Sequence, residues 1–228
     1  MMVYTAVENA RRGALVLYEA AEGSRKELED RFDSCWTALD KIKLEDADLT
    51  DEEIEKLSKT AEQVYSLGGE VILNRIDNFG LANIEDIAQH IDDCEKKYGK
   101  TPDIIIMDYL ELFTVNNWGF SSATEEKARR QAVMRAFANL VKNKGIKCGI
   151  TFTQASNISA DLINSEEFVI SRNDISGDKN LLDATSLTFS LNQTITEYNS
   201  DLMRIFVDKS RGASKKNKQI FHCLFYNF

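Results

Sequence analysis

The residues best equipped for chemistry in this sequence are charged or amide side chains that follow short apolar runs. The clearest is Asp108, which closes Ile104-Ile105-Ile106-Met107 after Thr101-Pro102-Asp103 and leads into Tyr109-Leu110-Glu111-Leu112-Phe113. Consecutive large apolar residues predict a strand buried on both faces, whose carboxyl end delivers one carboxylate to a ligand crevice. Keeping a charge there is costly without a cation or donors, so Asp108 is read either as a ligand for Mg²⁺ or as a cap on the next turn. Two further acids, Glu19 and Glu22, stand where Ala14-Leu15-Val16-Leu17-Tyr18 gives way to Gly23-Ser24 and a helix from Arg25 to Phe32. If that strand neighbours the Asp108 strand, a glutamate here orients an attacking water while Asp108 serves the metal, the division of labour that phosphoryl transfer needs. Otherwise both are acids of the kind a helix N-terminus favours. Gln154 follows Gly149-Ile150-Thr151-Phe152-Thr153 as a neutral amide able to sense a phosphate oxygen. Lys209 and Arg211, in Asp208-Lys209-Ser210-Arg211-Gly212, alternate onto one face of a strand: two cations aimed one way, or a solvated surface.

The elements that must position these residues follow from the hydrophobic pattern. Apolar runs recur at Leu15–Tyr18, Val71–Leu73, Ile104–Met107, Gly149–Phe152, Leu187–Leu191, Ile205–Val207 and Ile220–Phe225, and helical patterns separate the earlier ones. This βα alternation predicts an α/β fold with a mostly parallel sheet. Thr50 and Glu53 form a capping box opening a helix with Ile54 and Leu57 inward, and Asn83 precedes Ile84, Ile87, Ala88 and Ile91 at helical spacing. A third helix, from about Thr124 to near Gly145, carries Val133, Phe137, Leu140 and Val141 on one stripe, with Arg129, Arg130 and Arg135 outside it. From Gln154 to Asn180 the chain is polar and aperiodic, which reads as a long loop. The last third gives strands without intervening helices, so an antiparallel hairpin or edge is expected there. No linker or repeat divides the chain, and one domain over residues 1–228 is expected.

Composition narrows the class. With 228 residues, 43% hydrophobic and 29% charged, the sequence is that of an ordinary globular protein able to bury one sizeable core. No apolar stretch is long enough to span a bilayer and the amino-terminal sequence has no signal-peptide layout, so a cytoplasmic protein with no membrane partner is expected. Cys35, Cys94, Cys148 and Cys223 are widely spaced and only two histidines accompany them, which argues against a zinc site or a disulfide framework. A net charge of −9 opposes general nucleic-acid coating while leaving room for a local basic strip.

Taken in order, these segments resemble the RecA-like motor domain of DnaB-type replicative helicases, phage members included, over nearly the whole chain. Glu22 with Ser24, Leu28 and Arg31 keeps the spacing of that family's glutamate motif better than Glu19 does, and Ile104 to Leu112 matches its Walker B segment, with Asp108 as the carboxylate. Gln154 matches the strand-borne glutamine, Ser156–Gly177 with Asn157 resembles a DNA-binding loop, and Asn180-Leu181-Leu182-Asp183-Ala184 resembles the motif before the next strand. The Lys-x-Arg-x-Gly signature is kept in part, because Gly212 comes one position early. The resemblance implies a RecA-like P-loop core using ATP and Mg²⁺: Asp108 on the metal, Glu22 on the water, Gln154 on the γ-phosphate, and Lys209 with Arg211 reaching the neighbouring subunit's nucleotide. It also implies single-stranded DNA as partner, a self-assembled ring, normally a hexamer, and a primase or helicase loader as further partners. The first DNA-facing loop matches Asn116 to Ser122, with Asn117 and Trp118, and the following helix brings Arg129 and Arg130. For Trp118 and Phe120, base stacking competes with anchoring of the loop, and for Lys215, Lys216 and Lys218, DNA contact competes with a solvated hairpin tip.

One departure is as telling as the matches. No Gly-x-x-x-x-Gly-Lys-[Ser/Thr] occurs in the sequence, and Gly99-Lys100-Thr101 is a decoy, since residue 94 is Cys94 and the triplet leaves a helix to enter a strand. Residues 1–12 align with the helix that follows the phosphate loop, so the first strand of the fold is expected to be missing. The loop then comes from a separate amino-terminal segment, through truncation or a split gene, or has been lost by degeneration. On this expectation the chain alone exposes apolar sheet edges and is inactive. The competing functions are a catalytically silent helicase subunit, a RecA- or KaiC-like ATPase, and a metal nuclease using Asp103 with Glu125 and Lys127.

Overall fold

The computed structural model describes residues 1–76, 82–115, 123–155, 158–174, 180–212 and 220–224. The chain divides into two compact units, one of Met1–Ser122 with Ala132–Phe152, the other of Ala123–Gln131 with Thr153–Asn227.

The first unit is built on a parallel sheet. Its strands are β1 (Leu15–Ala20), β2 (Glu70–Arg75), β4 (Ile104–Asp108) and β6 (Cys148–Thr151), in the order β2-β1-β4-β6. A two-residue pair, β3 (Ala82–Asn83) with β5 (Phe113–Thr114), stands apart from it. All six residues of β1 are buried and so are Ile104 to Met107, as expected for central strands covered on both faces. Along one face run Val16, Tyr18, Ala20, Ile104 and Ile106, packed by Met2, Ala6, Val7 and Ala10 of α1 (Met2–Ala10) and by Leu28 and Phe32 of α2 (Arg25–Thr37). Helix α2 starts where Ser24 and Glu27 form a capping box, so the chain leaving β1 turns into a helix within four residues.

Two connections lead from α2 to β2: the short α3 (Lys41–Glu45) and α4 (Asp51–Ser66). The Thr50–Glu53 capping box opens α4 as expected. Its inward face differs: Ile54 is 49% exposed, Leu57 is half-buried and only Val64 is buried. Helix α4 packs chiefly beside α2, and only its last turns, through Val64, join the core under the sheet. By contrast α5 (Ile84–Tyr98) buries Ile84, Ile87 and Ile91 of the stripe its sequence predicts, together with Cys94, while Ala88 is half-buried. The long helix α6 (Ala123–Asn143) is divided between the two units; in its second half Val133, Met134 and Phe137 are buried. A Cβ on Gly149 of β6 would stand 2.5 Å from Val141 and 3.1 Å from the Phe137 ring, so only glycine lets this strand lie so close to the helix.

The second unit carries an antiparallel sheet of its own, β7 (Leu187–Asn192), β8 (Leu202–Ser210) and β9 (Ile220–Leu224), in that order. The expected antiparallel carboxyl-terminal hairpin is thus present, but the stretch between β7 and β8 is not free of helix as expected. Between residues 154 and 180 the chain contains α7 (Ala160–Ile163) and a 3₁₀ turn at Arg172–Asp174. A further short helix, α8 (Ile195–Tyr198), is capped by Thr194 and Glu197, and Glu197 also pairs with the buried Arg204 at 2.7 Å. No helix among the described residues is long and apolar enough to cross a membrane.

Candidate functional site

The strand order contains a reversal: from β1 the chain moves outward to β2 and then returns to the opposite side of β1 as β4. Ligands of open α/β sheets bind outside the carboxyl ends of the strands at such a switch point. Here Ala20 lies beside Asp108 in register, and the amide of Ala21 donates to the Asp108 carbonyl at 3.2 Å. The Asp108–Tyr109 peptide is cis. One carboxylate oxygen of Asp108, Oδ2, accepts a hydrogen bond from the Tyr18 hydroxyl at 2.5 Å; among the described residues Oδ1 has no hydrogen-bond partner. Glu22 is exposed, two residues past the end of β1. Burial first, and then the charges of Glu22, Glu111 and Asp108, push the Tyr109 phenol up from its ordinary value.

Glu19, the other glutamate considered for this end of β1, does something different. It is fully buried and paired in register with Asn74 of β2, whose Nδ2 donates to Oε1 at 3.1 Å. From α5, His90 Nδ1 lies 3.0 and 3.1 Å from the two carboxylate oxygens. The hydrogen bond to Glu19 is the main reason the His90 imidazole is raised above its ordinary value, helped by the charges of Glu19, Asp86 and Asp93 against burial. Glu19 therefore holds β1, β2 and α5 together, and Glu22 is the acid left open. Sequence reasoning misses the His90 partnership, although a signal exists: His90 falls on the Ile87, Ile91, Cys94 stripe of α5, where a polar residue needs a buried partner.

In the second unit Lys209 and Arg211 do share one face, as their alternation predicts. The Lys209 ammonium donates to the carbonyl oxygens of Leu182 at 2.5 Å and Asp183 at 3.4 Å, and the Arg211 guanidinium donates to the same Asp183 carbonyl. Burial and then the Arg211 charge push Lys209 below its ordinary value. Behind them Asp208 is held by the Arg172 guanidinium at 2.8 Å. Gln154 is exposed, three residues beyond β6.

The basic residues expected on the DNA side fare unevenly. Arg129 and Arg130 are 2% and 8% exposed, not outside the apolar stripe of α6. The reason is the helical period: each precedes a buried residue, Val133 or Met134, by one turn and so continues the same face. Arg135 is exposed, as expected. Asn117, Trp118, Phe120, Asn157, Lys215, Lys216 and Lys218 lie outside the described residues.

Oxygen ligands suit a hard cation, and among the described residues Asp108 has one carboxylate oxygen without a hydrogen-bond partner, near an exposed glutamate. Among the described residues no three His, Cys, Asp or Glu side chains gather closely enough to hold a metal by themselves. Mg²⁺ keeps several waters and is usually held by one or two carboxylates together with substrate phosphates.

No protein-family model matches the sequence, and no curated protein matches it. Solved structures do match. One, described as an ATPase domain, superposes with a TM-score of 0.75 at 15% identity, covering 98% of this chain and 76% of that one. A DnaB-like replicative helicase, whose structure was described together with its interactions with primase, gives a TM-score of 0.69 at 15% identity, over 97% of this chain and 51% of that one. At such identity the likeness is one of fold, and the fold is that of the ATPase domains of DnaB-like replicative helicases.

Proposed function

We propose that this chain is the motor domain of an ATP-driven, ring-forming replicative DNA helicase of DnaB type, moving along single-stranded DNA. The observation that carries the reading is the placement of Asp108 at the switch point, with one oxygen held by Tyr18, the other without a hydrogen-bond partner among the described residues, and Glu22 open nearby. Asp108 is the residue that would hold Mg²⁺, which when bound would supply neutralisation of charge on the transferring phosphoryl group. Glu22 orients and polarises the attacking water, a role that needs an exposed, unpaired carboxylate and that buried Glu19 cannot fill. Gln154 relays the state of the γ-phosphate to the loops that grip DNA. Lys209 and Arg211, already aligned on one pair of carbonyls, are the cations offered to the nucleotide of the next subunit. Ring formation and a primase or loader as partner belong to the same proposal.

A second reading is a silent helicase subunit, or one that receives the phosphate-cradling loop from another segment. The two separate on ATP hydrolysis stimulated by single-stranded DNA in the assembled protein. On the leading reading Arg211→Ala lowers turnover by about three to five powers of ten while nucleotide affinity changes only a few-fold. Turnover preserved in Arg211→Ala removes the role in trans, and an assembly that neither binds nor hydrolyses Mg-ATP leaves the silent subunit.

A further inference from the structure

We infer that Tyr18 is a positioning residue for the cation site, holding the Asp108 carboxylate by one oxygen so that the other is presented to the metal. This rests on the reading of Asp108 as the cation ligand and adds the group that orients it.

The geometry begins with the strand pair. Tyr18 lies opposite Ile106, and Ala20 opposite Asp108, so the Tyr18 side chain emerges two residues short of the carboxylate on the same face of the sheet. A phenol is long enough to bridge that offset. Its ring cannot swing away, because Tyr18 is 1% exposed and its ring meets Phe32 edge-on, with centroids 5.1 Å apart at 90°. The hydroxyl has two described hydrogen-bond partners, the Met2 thioether at 3.8 Å and Asp108 Oδ2 at 2.5 Å. Sulfur is a weak acceptor, so the proton is donated to the carboxylate, and the separation lies in the short range of a hydroxyl bound to a charged oxygen.

Two readings of this contact compete. A buried tyrosine always looks for an acceptor, and Asp108 happens to be near. Yet the cluster around the ring is Met2, Ala6, Leu28, Phe32 and other apolar side chains, in which phenylalanine would pack without any polar group to satisfy. The hydroxyl acts on one group of consequence, and it takes one oxygen of that carboxylate while leaving the other without a hydrogen-bond partner among the described residues. That is the arrangement by which outer residues orient metal-ligating carboxylates, and losing such a partner typically weakens metal affinity about 10- to 100-fold.

Tyr18→Phe keeps the ring, and with it the Phe32 contact, and removes only the hydroxyl. The probe is Mn²⁺ alone, titrated into the full chain and followed by its electron paramagnetic resonance signal, with Asp108→Asn as control and thermal unfolding in parallel. The unaltered chain is expected to bind Mn²⁺, Asp108→Asn to lose that binding, and Tyr18→Phe to bind about 10- to 100-fold more weakly with an unfolding midpoint close to that of the parent. A merely packing role would move the midpoint and not the affinity. If Asp108→Asn abolishes binding while Tyr18→Phe binds within twofold of the parent, the role of Tyr18 falls and the cation site stands. Should Asp108→Asn bind Mn²⁺ as the parent does, or the parent bind none, the cation site itself falls and Tyr18 with it.

Discussion

The strand β4 has an aspartate at each end, and the two have opposite fates. Asp103, just before the strand, is spent on structure: its Oδ2 accepts the Leu15 amide at 2.9 Å, its Oδ1 pairs with Lys147 at 2.6 Å, and Lys100 lies 3.6 Å away. Its own backbone bonds Leu15 and Cys148, so it ties the amino ends of β1, β4 and β6 together. Burial would push the Asp103 carboxyl up, but the Lys147 and Leu15 hydrogen bonds and the lysine charges outweigh it and hold it below the usual carboxylate range. Asp108, at the other end, has a single side-chain donor among the described residues, Tyr18. A parallel sheet gathers all its carboxyl ends on one side, where loops open a crevice, so a carboxylate left under-bonded there is available to a ligand. Under-bonding, more than acidity or burial, separates the carboxylates proposed to act on a ligand from the structural ones. It also weighs against a nuclease built on Pro102-Asp103, whose acid stands at the closed end and is already engaged by two lysines.

The contrast can be broken first at Glu19, which groups with Asp103 as a spent carboxylate. Glu19→Ala strips His90 and Asn74 of their shared acceptor and leaves a cavity, and is expected to cost about 2–4 kcal/mol of stability, below the full range for a broken buried pair because the His90 side chain is 31% exposed. Urea unfolding measures it, and a loss under about 1 kcal/mol would move Glu19 into the open class. Asp103→Ala comes next, with an expected cost of about 1–2 kcal/mol, mostly from the orphaned Leu15 amide, since the Lys147 side chain is 79% exposed and its ion pair is worth little. The smallest effect is a pH dependence. His90 is raised above 6.5 in the folded protein, so its pairing with Glu19 contributes fully below that value and is lost as pH rises through the folded pKa. Thermal midpoints are therefore expected to decline on the alkaline side of 6.5 by more in the parent than in His90→Gln; parallel curves would show that the pair carries no titrating stability.

Much of this is legible in the sequence. Strand positions follow from runs such as Ile104–Met107, helix starts from the Thr50–Glu53 and Ser24–Glu27 boxes, and the apolar face of α5 from its period. The positions of Asp108 and Glu22, at the carboxyl end of β4 and just past that of β1, are legible from the apolar runs that precede them. What cannot be read depends on which elements meet. Nothing local tells that α5 covers the Glu19 face of β1 while α1 and α2 cover the Tyr18 face, so the Glu19–His90 and Tyr18–Asp108 contacts, separated by 71 and 90 residues, leave no trace in the pattern. Ile54 reads inward because its spacing is helical, but spacing gives a face and not the neighbour that buries it. Arg129 and Arg130 read outward on residue type alone, where the four-residue step to Val133 and Met134 already places them on the buried face.

The most direct test of the central claim, that the two ends of β4 divide structure from chemistry, measures unfolding and ATP turnover per folded molecule side by side in the assembled protein. Asp108→Asn is expected to lower turnover at least about a hundredfold with stability within about 0.5 kcal/mol of the parent, while Asp103→Ala loses stability and retains turnover. An Asp108→Asn protein that hydrolyses ATP at the parental rate, or that unfolds as readily as Asp103→Ala, would contradict the account.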